Sequence, residues 1–301
     1  MFMNNIAEPI MHLDEEDQPT VSLIHRKAGS KHGLDYWLFL PKSVDSYHTP
    51  VVALHGIKRR ARVQVEMYAS YAQTLGRPVI APVFSKETWP CYQQVVRKGR
   101  ADLAFFGLLN ELRTAGIWQT DKIDLAGFSG GAQFAHRFAM LYPEAVGRLI
   151  VSSSGWYTFP DSRPFPYGFG ARSGPHNWGP LLENTLAQFL KIPITVTVGE
   201  HDCKKDTNTR SGQAIDAQQG AHRLERARRW IDALHRAAEA RNLLPPDVAL
   251  HVLPNCGHGF VECVKRGGLA DLVFSSGSKS VSVAKTNATA ASSKFVQTLE
   301  N

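Results

Sequence analysis

The sequence predicts an α/β protein built on a mostly parallel, doubly wound sheet of eight strands, with helices on both faces and a short cap loop. Three observations predict it. Short β-branched and apolar runs alternate with longer stretches of helical periodicity once the N-terminal segment is passed. The middle runs are continuously apolar, as parallel strands covered on both faces must be. At 301 residues, with 43% hydrophobic and 20% charged residues, the chain can bury a large core inside a solvated surface.

Taken in order, residues 21–24 and 36–40 read as a hairpin pair around Gly29 and Gly33. Strands follow at 51–54, 79–83, 123–126, 149–151, 194–198 and 248–252. Between them lie helical patterns at 62–75, 96–115, 132–141 and 217–240, which imply right-handed crossovers. The stretch 157–180 breaks this rhythm with Pro, Gly and the aromatics Phe159, Phe165, Tyr167, Phe169 and Trp178. It is too long for a simple connector. Two readings stand: a small cap walling an acyl or aryl pocket, or a surface loop packing its own aromatics. The expected organisation is a flexible tail over 1–20, one domain over 21–274 with a cap-like insertion at 157–190, and a low-complexity, disorder-prone tail over 275–301.

Composition narrows the function classes. The first twenty residues are polar and acidic (Asp14, Glu15, Glu16, Asp17) and lack the basic and apolar regions of a secretory signal, so the expectation is a cytoplasmic protein. No apolar stretch is long enough to span a bilayer, and no membrane partner is expected. Four cysteines without a C-x-x-C pair suggest neither a disulfide framework nor zinc. The net charge of +7 raises nucleic-acid binding. Positive charge concentrates at Lys58-Arg59-Arg60-Ala61-Arg62 and over 223–229. The second cluster is interleaved with Glu225 and followed by Asp232 and Glu239, so it reads as a solvated helix face. Without aromatic–basic interleaving, no nucleic-acid partner is expected.

Chemistry enters at Gly127-Phe128-Ser129-Gly130-Gly131, which follows an apolar strand and precedes a helical pattern. Strand, sharp glycine turn and helix are the context in which G-x-S-x-G becomes a nucleophile elbow. A serine at such a turn sits at a strained backbone angle that only side-chain-free neighbours tolerate. In an open α/β sheet ligands bind beyond the carboxyl ends of the strands. The seventh strand ends in Gly199-Glu200-His201-Asp202 and the eighth in Asn255-Cys256-Gly257-His258-Gly259. Asp202 and His258 thus emerge at the same edge as Ser129, in the order nucleophile, acid, base.

On these residues, together with the Leu54-His55-Gly56-Ile57 turn after the third strand, the chain resembles the α/β-hydrolase superfamily of serine hydrolases over about 21–274. The segment 127–143 and Ala81-Pro82-Val83-Phe84 are similar to carboxylesterase-like and polyhydroxybutyrate-depolymerase-like members. The resemblance implies an α/β-hydrolase fold and hydrolysis of a small-molecule ester without metal or organic cofactor; the same triad would equally serve a thioester, amide or peptide or an acyl transfer, which the sequence does not separate. It implies that His258 is the general base for Ser129, that Asp202 orients His258, and that the amides of Gly130 and Ile57 form an oxyanion hole.

Asp206 and Glu200 are alternative acids, although Asp202 fits the turn best. Trp156, Tyr157, Trp178 and Arg60 are candidate substrate contacts; for Lys58 to Arg62 the alternatives are anion steering and solvated charge at a helix start. His55 is expected to order its turn and His136 to be structural. A pairing of Cys203 with Cys256 under oxidation is conceivable. A hydrolytic reading has one rival from another class, a binding scaffold of the same fold without catalysis, against which the complete set Ser129, Asp202 and His258 argues.

Overall fold

In a computed structural model of the chain, residues 23–29, 33–96, 99–171, 177–207 and 209–275 are described. The tail over 1–20, residues 276–301 of the second tail and the first two residues of the expected hairpin lie outside them. Among the described residues, eight strands form one sheet: β1 (Leu23–Arg26), β2 (Asp35–Phe39), β3 (Val51–Leu54), β4 (Val79–Val83), β5 (Ile123–Phe128), β6 (Val146–Ser152), β7 (Ile194–Gly199) and β8 (Val248–Leu253). Their spatial order is β1-β2-β4-β3-β5-β6-β7-β8. The leading hairpin joins antiparallel, with β2 set against β4, and every later pairing is parallel. This is the predicted sheet.

Helices cover both faces. On one lie α1 (Ala61–Leu75), α7 (Phe260–Lys265) and α8 (Leu269–Phe274), whose Val65, Tyr68, Ala72, Val273 and Phe274 bury against Val51, Ala53, Val79 and Ile150. On the other lie α2 (Ala101–Thr114), α3 (Gly130–Leu141), α4 (Gly179–Phe189) and α6 (Arg223–Glu239), packed on Leu54, Leu125, Leu149, Val151 and Val196. Sheet residues alternate between the two clusters because successive strand side chains point to opposite faces. β8, at the edge, is exposed instead at Ala249, His251 and Val252.

Three elements differ from expectation. The pattern over 96–115 becomes helix only at Ala101, because Gly99 at φ 104° and Arg100 at φ 50° stand outside the helical region just before it. The pattern over 217–240 divides into α5 (Gln213–Gln219) and α6, since Gly220 at φ 101° leaves the helical region; a Cβ there would also collide with the Glu225 side chain. The 157–190 insertion ends in α4, the crossover helix between β6 and β7, whose Leu182, Leu186 and Phe189 are core residues.

The arginines of α6 correct the reading of a solvated face. Arg223 and Arg226 are buried, on one stripe with Ala227, Trp230 and Leu234 at helical spacing. Arg226 donates to the carbonyls of Gly220, Gly155 and Arg210 at 2.9, 2.6 and 2.8 Å and pairs with Asp216 at 3.0 Å. A buried guanidinium has five donors to satisfy, and loop carbonyls satisfy them here.

Candidate active site

Four strand ends on the carboxyl edge of the sheet contribute: the turn after β3, the elbow after β5, and the loops after β7 and β8. Ser129 stands at φ 56°, ψ −113°, and its N–H donates to the Ser152 carbonyl at 2.8 Å, which holds the strained turn against β6. The neighbouring glycines are required by contact. A Cβ on Gly127 would run into the Gly131 carbonyl, and one on Gly131 into the Leu54 carbonyl. A Cβ on Gly56 would sit 3.3 Å from that of Ser129.

The loops after β7 and β8 are fastened by their backbones. Glu200 N–H donates to Leu253 O at 2.9 Å and His201 N–H to Cys256 O at 2.8 Å. Gly199 allows this approach, since a Cβ there would strike the Cys256 carbonyl. The result brings Asp202 and His258 together. His258 Nδ1–H donates to Asp202 Oδ2 at 2.7 Å, and the Ser129 hydroxyl donates to His258 Nε2 at 3.0 Å. A carboxylate only accepts, so it sets the tautomer that leaves Nε2 free to receive a proton. Neither alternative acid touches the imidazole. Glu200 accepts from the Asn255 amide at 2.9 Å, and Asp206 accepts from Thr209 at 2.7 Å.

Arg223 is the residue that sequence reasoning missed. Its guanidinium donates to Asp202 Oδ1 at 2.9 Å and to Asp206 Oδ2 at 2.8 Å, with only 2% of the arginine side chain exposed. It therefore holds the carboxylate oxygen that His258 does not use, and compensates a charge buried at 4% exposure. The available signal was its place on the apolar stripe of α6.

The turn after β3 is held as rigidly. His55 Nε2 accepts from Phe84 N–H at 3.0 Å, and its Nδ1–H donates to Gly56 O at 3.0 Å. Burial pushes the His55 imidazole down to about 4, so it is neutral and structural, as expected. Tyr92 donates its hydroxyl to His55 O at 2.6 Å, and burial pushes that phenol well above its usual range. Arg59 donates to the carbonyls of Phe84 and Trp89 and lies 4.3 Å over the Tyr92 ring. These contacts set the Ile57 amide beside Gly130: a Cβ on Gly130 would lie 3.3 Å from Ile57 N and 2.8 Å from the Tyr92 hydroxyl. Gly130 opens α3, where the first amides have no partner within the helix.

A cavity of about 740 Å³ opens beside Ser129 and His258. Its apolar wall comes from Ile57, Val63, Phe128, Phe260 and Val261, and Arg60 is on its rim. Trp156, Tyr157 and Trp178 are not among the residues that border it. Trp156 is buried between Arg137, 4.1 Å away, and Tyr167. Tyr157 is buried and stacks on Trp230 at 4.7 Å, while Trp178 packs at the core margin. Phe159, Phe165 and Phe169 likewise belong to the main core, and Tyr167, half-buried, accepts from Arg210 at its hydroxyl. His136 donates to Ala132 O at 2.8 Å and accepts from Thr158 N–H at 3.0 Å, a structural role as expected.

Among the described residues no cluster of His, Cys, Asp or Glu could hold a metal ion, and no helix is long and apolar enough to cross a membrane. The cysteines are free. Cys203 is exposed, whereas Cys256 is buried beside Cys263.

No family model matches this chain, and no curated protein does. Solved structures do. A poly(3-hydroxybutyrate) depolymerase, LpqC, from Bordetella parapertussis superposes with a TM-score of 0.68 at 27% identity, over 79% of this chain and 83% of its own. Poly(aspartic acid) hydrolase-1 from Sphingomonas sp. KT-1 gives 0.70 at 22% identity, over 84% and 98%. The fluorophosphonate-binding serine hydrolase FphF from Staphylococcus aureus gives 0.54 at 13%, over 85% and 99%. The chain has the α/β-hydrolase fold, and the structures that it resembles include a polyester depolymerase, a poly(aspartic acid) hydrolase and a serine hydrolase.

Proposed function

We propose that the chain is a serine hydrolase that cleaves a carboxylic ester of a small molecule through an acyl-enzyme. One observation carries this reading: a single imidazole, His258, bridges a strained elbow serine at 3.0 Å and a buried carboxylate at 2.7 Å. Ser129 Oγ attacks the ester carbonyl carbon while His258 Nε2 takes its proton. The tetrahedral oxyanion is received by the amides of Gly130 and Ile57, each worth about 3 kcal/mol of transition-state stabilisation. The intermediate collapses, the C–O bond to the alcohol breaks, and His258 returns the proton to the leaving oxygen. Water then attacks the acyl-enzyme, gives its proton to His258 and releases the carboxylic acid with Ser129 restored. Asp202 stabilises the imidazolium at both stages, and Arg223 is a positioning residue for Asp202.

The test is a fluorophosphonate probe applied to wild type, Ser129→Ala and His258→Ala, followed by a chain-length series of p-nitrophenyl esters. Labelling of wild type alone, with turnover at some chain length, is the expected result. Ser129→Ala should lower kcat by at least about 10⁴-fold. A folded wild type that neither labels nor turns over would remove the activated serine and leave a binding protein of this fold.

A further inference from the structure

The cavity beside Ser129 carries an excess of cations that pair with none of the described residues. Lys58 and Arg60 reach it from the turn before α1, and Lys265 and Arg266 from the end of α7. All four are exposed, and none forms an ion pair or side-chain hydrogen bond with another described residue. Neighbouring arginines behave otherwise: Arg59 is committed to carbonyls, Arg62 to Glu66 at 2.6 Å, and Arg223 to two aspartates. Two carboxylates share the wall, and both are engaged. Asp206 faces Arg223, and Glu262 accepts from the Gly257 amide at 3.0 Å.

The start of α1 is built against ordinary helix electrostatics. A helix N-terminus carries partial positive charge and favours acids in its first turn. This fifteen-residue helix has no acid there, no side-chain cap, and Arg60 at its N-cap. Like charges gathered at a positive helix end repel one another, and a bound anion would relieve that repulsion. Low-dielectric walls of Ile57, Val63, Phe260 and Val261 would focus the field on the cavity.

From this placement we infer that the substrate is anionic: an ester bearing a carboxylate, or a group of like charge, on one side of the scissile bond. The inference rests on the hydrolase reading and names the substrate class of that same site. The cations act on capture more than on chemistry, since they are exposed and lie at the rim. Their effect belongs mainly in KM and in salt dependence.

Two ester pairs differing only in charge provide the test. Mono-p-nitrophenyl adipate against its methyl ester places the carboxylate on the acyl side; 3-nitro-4-butyryloxybenzoate against its methyl ester places it on the leaving group. In at least one pair, kcat/KM for the anion should exceed that of the neutral ester roughly tenfold at low ionic strength. That ratio should collapse toward unity in about 0.5 M salt, where the Debye length falls to a few ångströms. It should also collapse in the double variant Arg60→Gln, Arg266→Gln. Circular dichroism and fluorophosphonate labelling of the variant check that it is folded and that the serine is active. Neutral esters preferred in both pairs, or a ratio indifferent to salt and to the double variant, would overturn the inference and leave the hydrolase reading standing. Failure of wild type to label or to hydrolyse any ester would instead remove the reading on which it rests.

Discussion

Residues 58–62 and 223–229 read alike in the sequence, each a short run dense in arginine beside a helix start, yet the fold treats them in opposite ways. In the first, Lys58 and Arg60 point to solvent at the cavity rim while Arg59 alone turns inward to the carbonyls of Phe84 and Trp89. In the second, Arg223 and Arg226 are both buried, one holding Asp202 and Asp206 and the other binding three loop carbonyls. The difference teaches that an arginine's role follows from which helix face or turn it occupies, not from the charge of its neighbours. A buried guanidinium ties loops together and holds a carboxylate in place. An exposed one leaves its charge available to a ligand.

The sharpest way to break this contrast is to remove one arginine from each run. Arg223→Ala leaves the buried Asp202 charge with no cation on Oδ1, only the His258 N–H on Oδ2, and should cost about 3–5 kcal/mol of stability in urea unfolding. Surviving folded enzyme should lose about 100-fold in kcat with KM little changed, because Asp202 no longer holds His258 in place. Arg223→Lys should restore part of the stability but less of the rate, since an ammonium cannot span two carboxylates as a fork does. If Arg223→Ala behaves like a surface change, burial has not made this arginine structural.

The turn preceding the first run supplies a pH test. His55 is held at about 4, chiefly by burial, with the Arg59 charge acting in the same direction, against about 6.5 for an unfolded histidine. Between these values the unfolded chain binds a proton that the folded chain does not. Stability is therefore intact above pH 6.5 and is lost as pH falls toward 4. The loss should reach about 3 kcal/mol by pH 4.5 from His55 alone. Burial lowers the His136 imidazole as well, which adds in the same sense. Urea midpoints at pH 7 and 4.5 measure it; equal midpoints would mean that these histidines are accessible to protons in the native state.

Smaller effects separate members of the first run from one another. Arg59→Met removes donors from the Phe84 and Trp89 carbonyls and should cost about 1–3 kcal/mol. It should also lower turnover of every ester alike, because the Ile57 turn loosens. Arg60→Gln should change stability by less than about 0.5 kcal/mol. Equal losses for the two variants, read by thermal melts, would erase the distinction between the inward and outward arginine.

Much of the fold and the candidate site was legible because it rests on short-range physics. Periodicity marked all eight strands, and the pattern Gly127, Ser129, Gly131 marked the elbow, since those glycines answer to contacts with backbone a few residues away or on the adjoining strand. The chain order of Ser129, Asp202 and His258 followed from strands that end at one edge of a parallel sheet. Other features came only with tertiary structure. Asp202 rather than Glu200 or Asp206 meets His258 because backbone bonds fasten the β7 and β8 loops in one register. Trp156, Tyr157 and the phenylalanines of the following loop turn to the core, and Arg223 reaches Asp202, because helices distant in sequence pack beside them. Backbone strain and alternation are written locally. Whether a given aromatic or charge is buried depends on what the rest of the chain lays against it.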